Sequence, residues 1–166
     1  MRVLIVSDSH GREELLRQIV RREQADHVIH CGDFCTDRER LPDVPMTVVR
    51  GNCDWEPVPE EQLWEADGLR ILVVHGHRHG VKRSPLPLRF RALEVGANVA
   101  CFGHSHVPFC EKDGEVLLIN PGSISLPRIV KEPTYAVLQW SDISLKVTYH
   151  TPDGTLVPGF GYEEKR

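Results

Sequence analysis

The sequence predicts an α/β fold built as one domain, residues 1–166, and three observations support this prediction. Short apolar runs alternate with a helical repeat in the first half of the chain. In the second half, strand-like runs follow one another through tight turns. A chain of 166 residues is also long enough to bury about two thirds of its unfolded surface around a single core. Strands and helices in this arrangement are typical of layered α/β structures.

The N-terminal third of the chain predicts a strand, a helix and two further strands. Arg2–Val6 is a continuous apolar run, which is typical of a buried strand. Apolar side chains recur at helical spacing over Glu13–Glu23, with arginines on the opposite face, and this pattern predicts a helix. Two short strands are predicted at His27–His30 and 47–50. The resulting order, β-α-β-β, is that of an α/β layer.

The rest of the chain predicts five more strands and a second helix. The strands are expected at 69–75, 98–103, 115–120, 134–140 and 143–150, and the helix at 89–95. Because tight turns such as Lys112-Asp113-Gly114 connect the last strands, we expect them to form a second, largely antiparallel sheet packed on the first. The tail, 151–166, is rich in glycine and proline, and two behaviours are open to it: it wraps the surface or it is mobile.

The composition excludes several classes of protein. A hydrophobic content of 40% with 27% charged residues is that of a globular chain and not of a disordered one. No apolar run reaches the roughly 20 residues that span a bilayer, and the N-terminus turns polar too soon for a signal peptide. A net charge of -4 argues against nucleic acid as a stable partner. Five cysteines, an odd number, are unlike a disulfide framework, so a cytoplasmic location is expected.

Polar residues follow five of the predicted strands at the point where each strand ends. In chain order, these residues are Asp8, His10, Asp33, Asn52, His75, His104 and His106. Proteins with open α/β sheets bind small molecules and ions at the carboxyl ends of the strands. We therefore expect the five loops that carry these residues to converge on one place. Glycines flank nearly all of these residues and allow the backbone to approach closely.

The chemistry of these seven residues indicates a metal site. Carboxylates, imidazoles and a side-chain amide are ligands of divalent ions such as Mn, Fe, Zn and Ni. Asp8 and His10 are two residues apart, as are His104 and His106, so in extended backbone each pair can point the same way. Seven ligands suit two ions that share a carboxylate. Each residue alone has a plainer interpretation, as a helix cap or a structural histidine, and His27, His30 and His150 are assigned to the structural class.

The chain carries an ordered set of motifs, DSH (8–10), GD (32–33), GNCD (51–54), HGH (75–77), GHSHVP (103–108) and NPGS (120–123). With this set, the sequence resembles the calcineurin-like metallophosphoesterase superfamily, and within it the small prokaryotic phosphodiesterase branch. The resemblance implies a four-layer αββα sandwich of two mixed β-sheets flanked by helices. It also implies two metal ions, one held by Asp8, His10 and His106 and the other by Asn52, His75 and His104, with Asp33 bridging both.

The activity that the resemblance implies is that of a dinuclear metal-dependent phosphodiesterase. A hydroxide bridging the two ions would attack the phosphorus of a small phosphate diester or nucleotide. Mn²⁺ is the first expectation for both ions, with Fe, Ni, Zn, Co and Mg as alternatives. Asn52 would help to neutralise charge on the phosphate, and Asp54 would orient neighbouring groups.

Cys53 stands where larger members of the family have a histidine that can protonate the leaving group. A thiol, with a reference pKa of about 8.5, replaces an imidazole near 6.5 poorly, so the general acid is unassigned. His77 is the best substitute, and its alternative is an orienting or surface role. Two other functions are compatible with the fold: a phosphomonoesterase, and a non-catalytic scaffold that resembles the small retromer subunit. The presence of Asp33 with the other six ligands argues against the scaffold.

A small phosphate-ester substrate is the expected partner, and a homo-oligomer is left open. The substrate itself, the native metal and the oligomeric state are not encoded in any motif. A group of basic residues could form a lip that holds an anionic substrate, or simply a solvated face. Its members are Arg78, Lys82, Arg83, Arg89 and Arg91.

Overall fold

The computed structural model describes all 166 residues. The first half contains β1 (Arg2–Val6), α1 (Glu13–Glu23), β2 (His27–His30), a 3₁₀-helix (Arg38–Arg40), β3 (Met46–Val48), β4 (Glu61–Ala66) and β5 (Leu69–Val74). The second half contains α2 (Leu86–Glu94), β6 (Val99–Cys101), β7 (Pro108–Asp113), β8 (Val116–Pro121), β9 (Tyr135–Trp140), β10 (Ser144–His150) and β11 (Tyr162–Lys165).

The strands form two mixed sheets. The first has six strands in the order β11-β10-β9-β1-β2-β3, and β1, β2 and β3 run parallel to one another. The second has five strands in the order β4-β5-β6-β8-β7, and its three central strands are parallel. β4 and β7 are antiparallel edge strands. Each sheet therefore presents the carboxyl ends of three parallel strands at one edge.

The core consists of three layers of side chains that separate four layers of backbone. The first lies between the two sheets and is built from alternate strand residues, among them Val3, Ile5, Ile29, Ile71, Val73, Val99 and Leu138. Leu16 and Ile19 of α1 pack on the outer face of the six-stranded sheet. Leu88 and Ala92 of α2 pack on the outer face of the five-stranded sheet. The order α1, sheet, sheet, α2 confirms the predicted αββα sandwich.

Both helices follow from local sequence. α1 has Glu13 and Glu14 in its first turn and Arg21 and Arg22 in its last, an arrangement that complements the helix dipole. It ends at Gln24, which adopts the left-handed conformation with φ 46°. α2 begins directly after Pro85 and is nine residues long. Neither helix has the length and apolar character needed to cross a membrane.

The expectation that the last strands form a separate antiparallel sheet is wrong. β9 pairs with the free edge of β1, with Ile5 opposite Ala136, and β10 extends the same sheet. β8 instead lies between β6 and β7 in the other sheet. β1 is buried on both faces and needs a neighbour on each side, and a C-terminal strand supplies the second one. Hairpin spacing predicts which strands are neighbours but not which sheet they join.

Three strands were not predicted, and all of them are edge strands. β4 and β7 carry polar or charged residues along much of their length, so they lack the apolar run of a buried strand. β11 belongs to the tail, where Tyr162 pairs with Val147 of β10. Of the two behaviours that were open to the tail, the structure shows it lying along the surface, attached to the sheet edge by this pairing.

Candidate metal centre

The seven predicted ligands follow the carboxyl ends of five parallel strands, drawn from both sheets. Asp8 and His10 follow β1, Asp33 follows β2 and Asn52 follows β3 in the first sheet. The histidines His75, His104 and His106 follow β5 and β6 in the second sheet. Because the parallel ends of the two sheets meet at the same side of the sandwich, the loops lie together, and the carboxylates and imidazoles face one another.

Asp8 lies at the centre of the first group of side chains. Its Oδ1 is 3.0 Å from Nε2 of His106 and 3.8 Å from Nε2 of His10, and the three residues are arranged as metal ligands can be. Asp8 is fully buried, and burial by itself raises a carboxyl pKa. The imidazoles of His10 and His106 outweigh this effect and lower the pKa of Asp8, so its side chain is a carboxylate.

Asp33 connects this group to a second one. Its Oδ2 is 3.8 Å from Nε2 of His10 and 3.3 Å from Nε2 of His75, so one carboxylate faces both groups. The ring of His104 is 5.0 Å from that of His75, between centroids. Desolvation, followed by the charge of His75, lowers the pKa of His104 to about 4, which leaves its imidazole neutral and able to bind a metal.

Hydrogen bonds fix the tautomers of two of the histidines. Nδ1 of His75 donates to the carbonyl oxygen of Cys31, and Nδ1 of His106 donates to that of Leu126, both at 2.7 Å. In the neutral ring the remaining nitrogen, Nε2, carries the lone pair, which is the arrangement that metal-binding histidines commonly have. With the ring neutral, Nε2 of His106 and Oδ1 of Asp8 are two acceptors at 3.0 Å, a contact that a shared proton or a metal ion would stabilise.

Three polar atoms in the centre are buried and have no hydrogen-bond partner: Oδ1 of Asp8, Nε2 of His10 and Nε2 of His75. Buried polar atoms are normally paired, because leaving one unpaired costs about 1–3 kcal/mol. These three atoms point towards one another, and a carboxylate oxygen and imidazole nitrogens are common metal ligands. The donor set therefore fits divalent metal ions.

Most of the ligand residues do not lie in extended backbone. The expectation that the pairs Asp8 and His10, and His104 and His106, point the same way because their backbone is extended is therefore wrong. Five of the seven adopt positive φ: Asp8 (52°), His10 (43°), Asp33 (54°), His104 (67°) and His106 (59°). Non-glycine residues rarely adopt this conformation, at a cost of about 1 kcal/mol or more each. Strain of this kind concentrates at functional sites, where it directs side chains that regular backbone would turn away.

Two glycines allow the loops to close around the carboxylates. A Cβ on Gly51 would lie 2.0 Å from Oδ1 of Asp33, and a Cβ on Gly103 would lie 1.9 Å from Oγ of Ser7. No side chain fits at either position. The predicted reason for the glycines, a close approach of the backbone, holds at these two places.

The centre also contains supporting residues that were not predicted. Ser7 donates from Oγ to Oδ2 of Asp8 at 2.5 Å, and Ser123 donates to the Asp8 carbonyl oxygen at 2.8 Å. Nδ2 of Asn120 donates to the Gly103 carbonyl oxygen at 3.0 Å. Asn120 and Ser123 belong to the NPGS motif, and that motif was the signal available for them.

His30 has a structural role next to the centre, as predicted. The Gly32 N–H donates to its Nδ1 at 3.1 Å, and its Nε2–H donates to Oγ of Ser9 at 2.8 Å. Complete burial lowers its pKa to about 4, so the ring is neutral. His30 thus joins the two loops that carry Asp8 and Asp33.

The GNCD loop contains the predicted ligand Asn52 and two further residues, Cys53 and Asp54. The carboxylate of Asp54 accepts hydrogen bonds from the backbone N–H groups of Asp33 (2.7 Å), Gly51 (2.8 Å) and Cys35 (2.8 Å). Asn52 is exposed and donates from Nδ2 to Sγ of Cys53 at 3.5 Å. Sγ of Cys53 lies in one group with the ligand atoms of His10 and Asp33. Desolvation and the Asp33 carboxylate raise the pKa of this thiol.

His77 lies beside the second group of ligands. Its ring centroid is 5.4 Å from that of His75 and 6.2 Å from that of His104. Desolvation, followed by the charge of His75, lowers the pKa of His77, and this makes the protonated form of a general acid less populated near neutrality. Its Nδ1 is buried without a partner.

Known proteins resemble this chain in both sequence and structure. The sequence profile of the calcineurin-like phosphoesterase superfamily domain matches residues 1–142. The chain belongs to this superfamily. The probable metallophosphoesterase YsnB of Bacillus subtilis is 44% identical over 157 residues, which cover 93% of each chain. Phosphodiesterase YfcE of Escherichia coli is 28% identical, over 83% of this chain and 87% of that protein.

Solved structures of the superfamily share the architecture. A predicted phosphoesterase from Streptococcus pneumoniae TIGR4 superimposes with a TM-score of 0.88 at 33% identity, covering 99% of this chain and 97% of that one. Vps29 of Entamoeba histolytica superimposes with a TM-score of 0.78, covering 100% and 99% of the two chains, but at 20% identity this likeness shows the fold alone. Membership of the superfamily confirms the prediction of a metal-dependent phosphoesterase.

Proposed function

We propose that the protein is a dinuclear metal-dependent phosphodiesterase that hydrolyses a small phosphate diester or nucleotide. One observation carries the proposal. Two buried carboxylates, Asp8 and Asp33, face ring nitrogens of histidines from both sheets, and three of these atoms have no hydrogen-bond partner in the protein. Buried carboxylate oxygens and imidazole nitrogens that lack hydrogen-bond partners are suited to bind cations.

The residues divide into two sites that share a carboxylate. In the proposal, Asp8, His10 and His106 hold one ion, Asn52, His75 and His104 hold the other, and Asp33 contacts both. Divalent ions bound there, Mn²⁺ in the first instance, supply activation of a water molecule and neutralisation of phosphate charge. Asn52 would bind through its amide oxygen; its side chain is exposed, and its Nδ2 contacts Sγ of Cys53.

The other residues hold the arrangement in place or serve the leaving group. Asp54 holds the backbone of Asp33 against the loop after β3. Cys53 faces the ligand atoms with a protonated thiol, so it neither replaces an imidazole acid nor acts as a nucleophile. His77 is the proposed proton donor, or an orienting group for its neighbours His75 and His104.

Diesters are preferred over monoesters in this proposal because no strong general acid stands at the position of Cys53. The alkyl leaving group of a natural monoester departs with difficulty unless a general acid supplies a proton. General acid catalysis is worth about 10²–10⁴ in rate. The scaffold alternative is disfavoured because a protein without metal chemistry has no need of a complete ligand set.

The test compares bis(p-nitrophenyl) phosphate with p-nitrophenyl phosphate. Protein stripped with a chelator is assayed before and after addition of Mn²⁺, Fe²⁺, Ni²⁺, Zn²⁺, Co²⁺ or Mg²⁺. We expect no turnover in the stripped protein, recovery with Mn²⁺, and a higher kcat/KM for the diester. Full turnover without metal would contradict the dinuclear mechanism, and a higher kcat/KM for the monoester would favour the phosphomonoesterase.

A further inference from the structure

An apolar pocket of about 210 Å³ lies next to the metal centre. Its walls are formed by Val81, Phe102, Val107, Phe109 and Ile129. An apolar cavity of about 150 Å³ is sufficient to hold a benzene ring. The pocket is therefore large enough for one aromatic ring and too small for most drug-sized ligands, whose pockets begin at about 300 Å³.

The pocket and the metal centre share parts of the same loops. Ser105 lines the pocket and lies in the chain between His104 and His106, two of the proposed ligands. Its Oγ accepts a hydrogen bond from Nδ2 of Asn120 at 2.9 Å, so its position is fixed. Val81 fills the space in front of Gly76, the residue that follows His75. Part of the pocket wall is thus built from the loops that carry His75, His104 and His106.

Lys82 provides a positive charge at the rim of the pocket. Among the five predicted lip residues, three are engaged in ion pairs: Arg78 with Glu60, Arg89 with Asp113 and Arg91 with Glu61. Lys82 lines the pocket, is exposed and forms no ion pair. Arg83 also forms no ion pair but does not line the pocket, so Lys82 is the one cation of the predicted lip that stands beside the apolar cavity.

Ile129 has an unusual conformation for an isoleucine. It has φ 66° and its side chain is 92% exposed, at the edge of the pocket. A β-branched residue rarely adopts positive φ, and exposure of its apolar surface brings no compensating burial. The preceding residue, Arg128, donates its backbone N–H to the carbonyl oxygen of His106 at 3.1 Å, which ties the segment to the ligand loop. Contact with an apolar ligand would compensate for the exposed side chain.

We propose that this pocket binds an aromatic group esterified to the phosphate of the substrate, with Lys82 facing an anionic oxygen at its rim. The proposal rests on the phosphodiesterase function and adds a substrate class to it: diesters with one planar, apolar ester group. The same site would discriminate against diesters that carry only small alkyl groups. The walls and the cation together select this chemistry, since an apolar ring fills the cavity while a phosphate oxygen remains near the charge.

The kinetic test uses two diesters with the same leaving group, phenyl p-nitrophenyl phosphate and methyl p-nitrophenyl phosphate. The compared quantity is the ratio of their kcat/KM values in the wild type and in Ile129→Ser. Loss of apolar contact in a pocket is worth about tenfold or more, so we expect the phenyl-to-methyl ratio to fall about tenfold. Ile143→Ser is the matched control, because Ile143 is another exposed isoleucine and lies outside the pocket. An unchanged ratio in Ile129→Ser would overturn the proposal.

A binding test separates this inference from the proposed function. Methyl NMR spectra of the Mg²⁺-loaded protein are recorded with phenylphosphonate and with methylphosphonate, neither of which is a phosphate ester. We expect saturable shifts of the Ile129 methyl signals with phenylphosphonate only, and no shift at Ile143. Failure to hydrolyse either diester, together with these shifts, would reject the function and keep the pocket. Equal shifts with both phosphonates, or no shift at Ile129, would reject the pocket.

Discussion

Replacement of Asp54 tests how the loop after β3 is held against the proposed bridging carboxylate. The Asp54 side chain accepts three backbone hydrogen bonds, two at Oδ2 from Asp33 and Gly51 and one at Oδ1 from Cys35. In Asp54→Ala all three donors lose their acceptor. In Asp54→Asn one oxygen remains, and it can keep the pair at Oδ2 while the new NH₂ group faces the N–H of Cys35. The two variants should therefore differ in degree.

The magnitude follows from the number of bonds lost. An unpaired buried donor costs about 1–3 kcal/mol, but this loop is only partly buried, so water replaces some of the lost contacts. We take about 1 kcal/mol for each donor, hence about 3 kcal/mol for Asp54→Ala and about 1 kcal/mol for Asp54→Asn. In a chain of this size each kcal/mol lowers Tm by about 2–4 °C, so the expected losses are roughly 6–12 °C and 2–4 °C.

Metal binding should weaken in the same order. Loss of groups that orient metal ligands typically lowers metal affinity or activity by about 10–100-fold, and Asp54→Ala is expected to fall in this range. Thermal unfolding of metal-free protein and titration with Mn²⁺ measure the two effects separately. Asp142→Asn serves as a control because Asp142 is exposed and forms no side-chain hydrogen bond. Wild-type Tm and Mn²⁺ affinity in Asp54→Ala would refute the reasoning.

Three other variants address the centre directly. Asp33→Asn should remain folded but lose at least one ion by elemental analysis and nearly all diester turnover; full metal content with normal turnover would exclude a bridge. Cys53→His should flatten the dependence of rate on leaving-group pKa, with gains of up to about 10²–10⁴ on alkyl esters. An identical slope would place residue 53 away from the leaving group. His104→Gly should unfold about 2–4 °C above His104→Ala in metal-free protein, because φ is 67° there. The reverse order of Tm would show that the backbone relaxes.

The central part of the fold could be predicted because its strands are long apolar runs. β1, β2 and β5 were located to within a residue because burial favours apolar runs. The helix α1 was located because its apolar side chains recur at helical spacing. The edge strands were not predicted because solvent contacts one of their faces and one of their edges, so their sequences mix polar and apolar residues, as in β4. β9 joins the first sheet by pairing with β1, and this contact between distant parts of the chain cannot be predicted from a local sequence pattern.

The chemical identity of the centre was more accessible than its geometry. Short motifs at strand ends were sufficient to nominate Asp8, Asp33 and the histidines, because metal binding needs particular side-chain types. The positive φ of these residues was not predictable, since aspartate and histidine only tolerate this conformation and do not require it. The role of His30 in joining two loops was equally hidden, because its hydrogen bonds are tertiary contacts.

The distribution of the proposed ligands between the sheets couples stability to metal binding. The first sheet supplies both carboxylates, the amide of Asn52 and His10, whereas the second supplies three histidines. Neither sheet alone presents a complete set for either ion. The two sheets meet through an apolar core that does not by itself specify contacts between polar loops. Ions that bind only when the loops meet add their binding free energy to the packing of the sheets, and they offset the strain of the left-handed ligand residues. In the proposed centre, bound ions would thus stabilise loop conformations that are costly in the metal-free protein.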